Sequence, residues 1–158
     1  MTDTLWLKRL KQWFEAQGFG RAAALCLPVY RPDLMERAAA ALGLAHFDYR
    51  ARHMLPLGWQ ASRLTLADME TAVHEALAAS SGKGLLVQNA EALLSLRPAG
   101  ERRAWLERLF ELSFDGRVVV SFCLYAHELP HDDAGRCLSF SALELPEERL
   151  LGRLAGLR

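Results

Sequence analysis

The sequence predicts a single three-layer α/β domain: a mostly parallel five-stranded sheet with helices on both faces. Three observations predict it. Five short apolar runs, beginning near Ala22, Ala45, Leu85, Arg117 and Cys137, are each bounded by turn-forming residues. Stretches of helical periodicity separate most of these runs, and such alternation argues a parallel sheet covered on both sides. The chain has 158 residues, 51% hydrophobic and 24% charged, which suits one domain with a real core. Neither internal repeats nor low-complexity tracts interrupt it. Residues 1–158 therefore read as one domain, an amphipathic N-terminal helix over 1–20 followed by a five-stranded core over 21–158.

In the first helix Trp6, Leu10, Trp13, Phe14 and Gln17 share one face, with Lys8, Arg9, Lys11 and Glu15 opposite. Such an aromatic stripe either packs on its own domain or docks another subunit. Trp6, Leu10 and Trp13 are the candidate docking residues. Residues 22–30, AAALCLPVY, read as the first strand, with Pro28 marking its end because proline cannot donate to the ladder. Pro32 opens a helix over 33–42 that Gly43 closes. Residues 45–49 are the second strand, and 50–62, containing Pro56 and Gly58, read as irregular. Thr65 caps a helix over 66–79 with Met69, Val73 and Leu77 on one face. Residues 85–88 are the third strand, and 101–114 a helix with Trp105, Leu109 and Leu112 aligned. The run RVVVSFCLY, 117–125, has the strongest β propensity in the chain. A turn-rich loop from His127 to Gly135 leads to a fifth strand over 137–143, reached by a hairpin-like step. Pro146 opens a last helix to about residue 155, with Glu147 and Glu148 suiting its positive end.

Composition narrows the function classes. Lys plus Arg and Asp plus Glu both total 19, so no net field steers the chain toward nucleic acid or an anionic membrane. Cys26, Cys123 and Cys137 are odd in number and far apart, which fits buried free thiols rather than a disulfide framework or a metal clip. The first residues lack the pattern of a signal peptide, and no uncharged apolar stretch approaches the ~18 residues of a membrane span. A bacterial-type cytoplasmic location without membrane contact is expected.

The stretch GLLVQNAEALLSL, 84–96, reads as a buried strand ending in polar residues, then a turn and a helix. With four further strands around it, this pattern resembles the P-loop NTPase superfamily, in the branch of AAA-type and RecA-type ATPases. The resemblance spans about residues 21–154. It implies a phosphate-binding loop after the first strand and an acidic pair after the third, where a hard cation and a water are held. The chain departs from both. After the first strand stands VYRPDLMER, without Gly, Lys, Ser or Thr, and Arg31 is the first cation there. Gln88 occupies the metal-coordinating position and Asn89 the catalytic one, and neither carries charge. Glu91 is the nearest acid. The Gly82–Lys83 pair precedes a strand rather than opening a helix, so it reads as a turn. The resemblance thus implies a degenerate member, without ATP hydrolysis, cofactor or metal. QNAEALL is also similar to a DN-x-E-x-L element of small P-loop proteins from BREX-type phage-defence systems, without its Asp, and P-loop-less RecA-like inhibitors of cell division are a comparable case.

Two other constellations stand out. His127-Glu128-Leu129-Pro130-His131 matches HExxH, which binds zinc when it lies on a helix. This copy follows a strand, and Pro130 opposes a helix. A metal-dependent hydrolase built on loop 127–133, with Asp132 or Asp133, is one alternative function. Arg50, Arg52, His53 and Arg63, interleaved with Phe47, Tyr49 and Trp59, make a nucleic-acid-binding module the other. Ser121 lacks the flanking glycines of a nucleophile elbow. Open parallel sheets bind ligands at the C-terminal ends of their strands. The candidate binding residues are therefore Arg31, Arg50, Arg52, Gln88, Asn89 and Glu91. The leading expectation is a non-catalytic adaptor subunit with a protein partner, in a bacterial complex for DNA handling or phage defence.

Overall fold

A computed structural model describes residues 2–131 and 134–147. The strands are β1 (Ala22–Cys26), β2 (Ala45–Asp48), β3 (Leu85–Gln88), β4 (Val118–Phe122) and β5 (Cys137–Ser139). The α-helices are α1 (Thr2–Glu15), α2 (Pro32–Leu42), α3 (Leu66–Ala79), α4 (Glu91–Leu94) and α5 (Ala99–Glu111). The sheet order is β2-β3-β4-β1-β5 and every neighbouring pair is parallel.

The hairpin-like step expected between β4 and β5 is therefore absent. β5 pairs with β1 at the far edge, Leu25 opposite Leu138. A parallel return needs a crossover of a dozen or more residues, and segment 123–136 supplies that length. β1 is also shorter than expected. It ends at Cys26, so Pro28 never enters the ladder. Segment 50–63 is ordered rather than irregular: a π turn over Arg50–Met54 runs into a 3₁₀ segment, Leu55–Arg63, broken at Gly58. The helix expected over 101–114 is α5, which begins and ends earlier. Of the final helix expected from Pro146 onward, Pro146 and Glu147 are described and are not helical, and the rest lies outside the described residues.

Period-two alternation sorts the strands onto two cores. Ala22, Ala24, Cys26, Leu85, Val87, Val118, Val120 and Phe122 face α3, α4 and α5. Leu25, Leu86, Val119 and Leu138 face α1 and α2. Val118, Val119 and Val120 are each 1% exposed, and burial of one such side chain contributes about 1.5–3 kcal/mol. The third layer is closed by the aromatic stripe of α1. Trp6 and Leu10 are fully buried in the second core, and Trp6 meets Phe140 edge to face. Trp13 is half-buried and donates from Nε1 to the Gly135 carbonyl at 2.9 Å. The proposed docking residues Trp6, Leu10 and Trp13 thus hold the domain together. A surface of this area is more stabilising packed on the sheet than left in water.

Local chemistry explains the helix ends. Thr65 and Asp68 form a reciprocal capping box at α3. Pro32 stands at the start of α2, and Gly43 ends it at φ 69, with Gly43 and Leu44 amides returned to Ala40 and Ala39. Gly84 needs its identity for two reasons. Its φ is +87, and a Cβ there would lie 2.8 Å from the Arg117 carbonyl oxygen. The Gly82–Lys83 pair lies in the turn that leads into it, as its sequence context implied.

Candidate functional site

The C-terminal ends of β1, β3 and β4 converge where the strand connections diverge, which is where open α/β sheets bind ligands. Here that crevice is filled. It is lined by Arg31, Met35, Gln88, Asn89, Glu91 and Ser121, among others, and leaves about 20 Å³, room for one water.

Each polar residue of the crevice has an internal partner, although the Gln88 Nε2 is buried without a hydrogen bond. Arg31 is 6% exposed. Its guanidinium donates to both Asp33 carboxylate oxygens, at 3.1 and 3.0 Å, and to the Pro146 carbonyl at 2.8 Å. The bidentate contact holds the Asp33 carboxyl below the ordinary carboxylate range. Arg31 is therefore not a free anion-binding cation, and its ring-constrained neighbour Pro32 offers no amide to a phosphate. Glu91 is 7% exposed and opens α4. Its carboxylate accepts the backbone N–H groups of Cys123, Leu124 and Tyr125 at 2.7, 2.7 and 2.6 Å. It anchors the end of β4 instead of facing a ligand. Burial, reinforced by the same carboxylate, pushes the Cys123 thiol up to about 12. Burial likewise raises Cys26 to about 11. Neither thiol is a thiolate near neutral pH. None of the three cysteines is in a disulfide; Cys26 is buried, while Cys123 and Cys137 are partly buried.

Gln88 and Asn89 also turn inward. Gln88 is 2% exposed, with Oε1 2.6 Å from His46 Nε2, so the imidazole donates and the amide accepts. Asn89 adopts a left-handed φ of 65 and donates from Nδ2 to Asp48 Oδ1 at 2.9 Å. That geometry ties the ends of β2 and β3 together. Ser121 donates to the Val87 carbonyl at 3.3 Å, a strand-to-strand contact.

The rim of the same edge is apolar and exposed. Val29 and Tyr30 follow β1, Leu55, Leu57 and Trp59 follow β2, Leu96 follows β3, and Leu124 follows β4. Trp59 is 73% exposed and Leu124 59%. Nothing in the sequence reading singled these residues out as a group. The signal was present only as large apolar residues in loops, and the fold alone brings four loops to one edge.

Arg50, Arg52 and Arg63 are exposed on the β2 side of this edge. The aromatic residues expected to alternate with them are divided. Phe47 and Tyr49 are buried in the core, with Arg52 over the Phe47 ring at 5.8 Å. Trp59 remains outside, under Arg63 at 5.1 Å. Burial pushes the Tyr49 hydroxyl up to about 12.

The HExxH segment forms a single 3₁₀ turn, Ala126–Glu128, and Leu129 is already extended. The helical spacing that would align His127 with His131 is missing. Glu128 is held by Arg102 through contacts of 2.8 and 3.0 Å, which keep its carboxyl below the usual range. Asp132 and Asp133 lie outside the described residues. Among the described residues no three His, Cys, Asp or Glu side chains gather into a possible metal site. No described helix is long and apolar enough to cross a membrane. No known protein-family model matches this chain, and no curated protein matches it.

Proposed function

We propose that this chain is a non-catalytic adaptor subunit on a degenerate P-loop NTPase-like scaffold, acting within a larger bacterial complex for DNA handling or phage defence. The observation that carries the reading is the inversion at the C-terminal edge. Arg31, Gln88 and Glu91, at the positions that would surround a triphosphate, are buried and held by partners elsewhere in the domain, while the loops around them present Val29, Tyr30, Leu55, Trp59 and Leu124 to solvent. Large apolar side chains left exposed on several loops at one edge of a sheet favour a protein-interaction surface. A crevice with room for one water does not admit a nucleotide.

Two measurements test the proposal. A tagged chain captures a stable partner from its own cell extract, and a Tyr30→Ser, Trp59→Ser, Leu124→Ser variant with unchanged circular dichroism loses it. Titration with a fluorescent ATP analogue gives no saturable signal. Micromolar analogue binding accompanied by hydrolysis would overturn the reading. The exposed Arg50, Arg52 and Arg63 beside Trp59 favour one second reading, contact with single-stranded nucleic acid. Its mark is an affinity that falls steeply with salt.

A further inference from the structure

Segment 50–63, the ordered connection from β2 to α3, keeps three large apolar side chains in water. Leu55, Leu57 and Trp59 alternate along the stretch LPLGW and are 55%, 41% and 73% exposed. The backbone beneath them is held in place. Met54 and Ala61 are buried. Arg97 donates to the Ser62 carbonyl at 2.7 Å and also to the Leu64 carbonyl, and Ser62 Oγ donates to the Trp59 carbonyl at 3.0 Å. Gly58 breaks the 3₁₀ segment at φ 58, ψ −131, a conformation open to glycine and rarely to other residues. A partner docking on this segment therefore has little of its backbone to order.

The charge along the segment has one sign. No Asp or Glu stands between Asp48 and Asp68, while Arg50, Arg52 and Arg63 are exposed. Among the described residues none of these three arginines pairs with a carboxylate. The two acids that bracket the segment are engaged: Asp48 accepts from the Ala51 amide and from Asn89, and Asp68 from the Thr65 amide. Arg63 lies over the Trp59 ring at 5.1 Å, which sets a cation beside the apolar group. The complement of this segment carries carboxylates on an apolar body. Single-stranded nucleic acid matches it less well. Bases stack on successive aromatic platforms, and of Phe47, Tyr49 and Trp59 only Trp59 is exposed. Leucines offer a base no ring to stack on. An anionic lipid surface also matches less well, because it is held by clusters of about 4–8 basic residues.

We propose that segment 50–63 docks an acidic, apolar peptide segment of the partner protein. Leucine- or phenylalanine-type side chains of that peptide pack on Leu55, Leu57 and Trp59, and its Asp or Glu carboxylates meet Arg50, Arg52 and Arg63. The inference rests on the adaptor reading and adds the chemistry of the partner to it. Burial of apolar area supplies the affinity. The arginines select acidic segments over neutral and basic ones, since a guanidinium pairs with a carboxylate through two parallel hydrogen bonds and repels a cation.

The test uses the intact chain, ¹⁵N-labelled, with the Trp59 indole resonance assigned by its loss in Trp59→Phe. The probe is a synthetic peptide that alternates glutamate with leucine and phenylalanine. Its counterparts carry glutamine for every glutamate, or alanine for every leucine and phenylalanine. The acidic peptide should shift the Trp59 indole resonance saturably, and each counterpart should bind about tenfold or more weakly. Replacing all three arginines, Arg50→Gln, Arg52→Gln and Arg63→Gln, should weaken the acidic peptide by a similar factor and leave the glutamine counterpart unchanged. An unmoved resonance, or equal binding of the acidic and glutamine peptides, overturns the proposal. So does tighter binding of oligothymidylate or of phosphatidylserine vesicles than of the acidic peptide. These wild-type titrations decide the matter even if the triple variant fails to fold. Partner capture that depends on Trp59, combined with failure of the acidic peptide, overturns this inference and leaves the adaptor reading standing.

Discussion

The crevice and the rim of the C-terminal edge lie side by side and follow opposite rules. In the crevice, charged and amide side chains are inside: Arg31, Gln88 and Glu91 are 6%, 2% and 7% exposed. On the rim, large apolar side chains are outside, with Tyr30 at 54% and Trp59 at 73%. Burying charge costs more than exposing one leucine or tryptophan, so the polar half of this arrangement is the more demanding. It persists because every charge inside is met: Arg31 by Asp33 and Pro146, Glu91 by three backbone amides. The contrast teaches that the crevice is structural and that the rim is an apolar face left to solvent.

Substitutions can break that contrast in a definite order. Glu91→Ala should have the largest effect. It leaves the amides of Cys123, Leu124 and Tyr125 without their acceptor, and each orphaned group costs about 1–3 kcal/mol. We expect a loss of roughly 3 kcal/mol or more in urea unfolding. A loss below half of that would mean that water replaces the carboxylate and that the crevice is open. Arg31→Met comes next. It leaves the Pro146 carbonyl and Asp33 unpaired and should cost about 1–3 kcal/mol by the same measurement.

Acid sharpens the comparison more gently. The carboxyls of Asp33 and Glu128 are depressed in the folded state, chiefly by their bonds to Arg31 and Arg102. Their contribution is complete above the unfolded carboxylate range of about pH 4, and it is lost as pH falls through the lower folded values. Arg102→Gln should therefore lower stability near neutral pH, leave it nearly unchanged in strong acid, and so flatten the acid side of the stability profile. Unaltered acid sensitivity in that variant would assign the slope to other groups. The smallest effect is expected from the rim. Trp59→Ser and Leu124→Ser should each change stability by no more than about 0.5 kcal/mol, because both side chains are largely exposed. A thermal-shift loss as large as that of Arg31→Met would make the rim part of the core.

The sheet was legible where a pattern had one solution. Leu85 to Gln88 and the capped helix from Leu66 to Ala79 lie where the alternation, the Thr65 cap and Gly84 place them. The β4–β5 step was not legible. A turn-rich loop reads alike whether it reverses a strand or carries it back for parallel pairing, and the choice rests with the open side of β1. The aromatic stripe of α1 was equally ambiguous. Trp6 and Leu10 have the same spacing whether they meet Phe140 or a partner. The absence of charge at Gln88 and Asn89 was visible at once, whereas their bonds to His46 and Asp48 were not.

By itself, the order of residues determined an alternating α/β chain, the ends of its capped helices, and a third strand without acids. These follow from periodicity and local hydrogen bonding, which act between near neighbours. Only the tertiary structure decided that Arg31 and Glu91 are spent on internal bonds and that large apolar side chains in the loops after four strands stay exposed. Those facts depend on contacts between residues far apart in the chain, which no local pattern encodes.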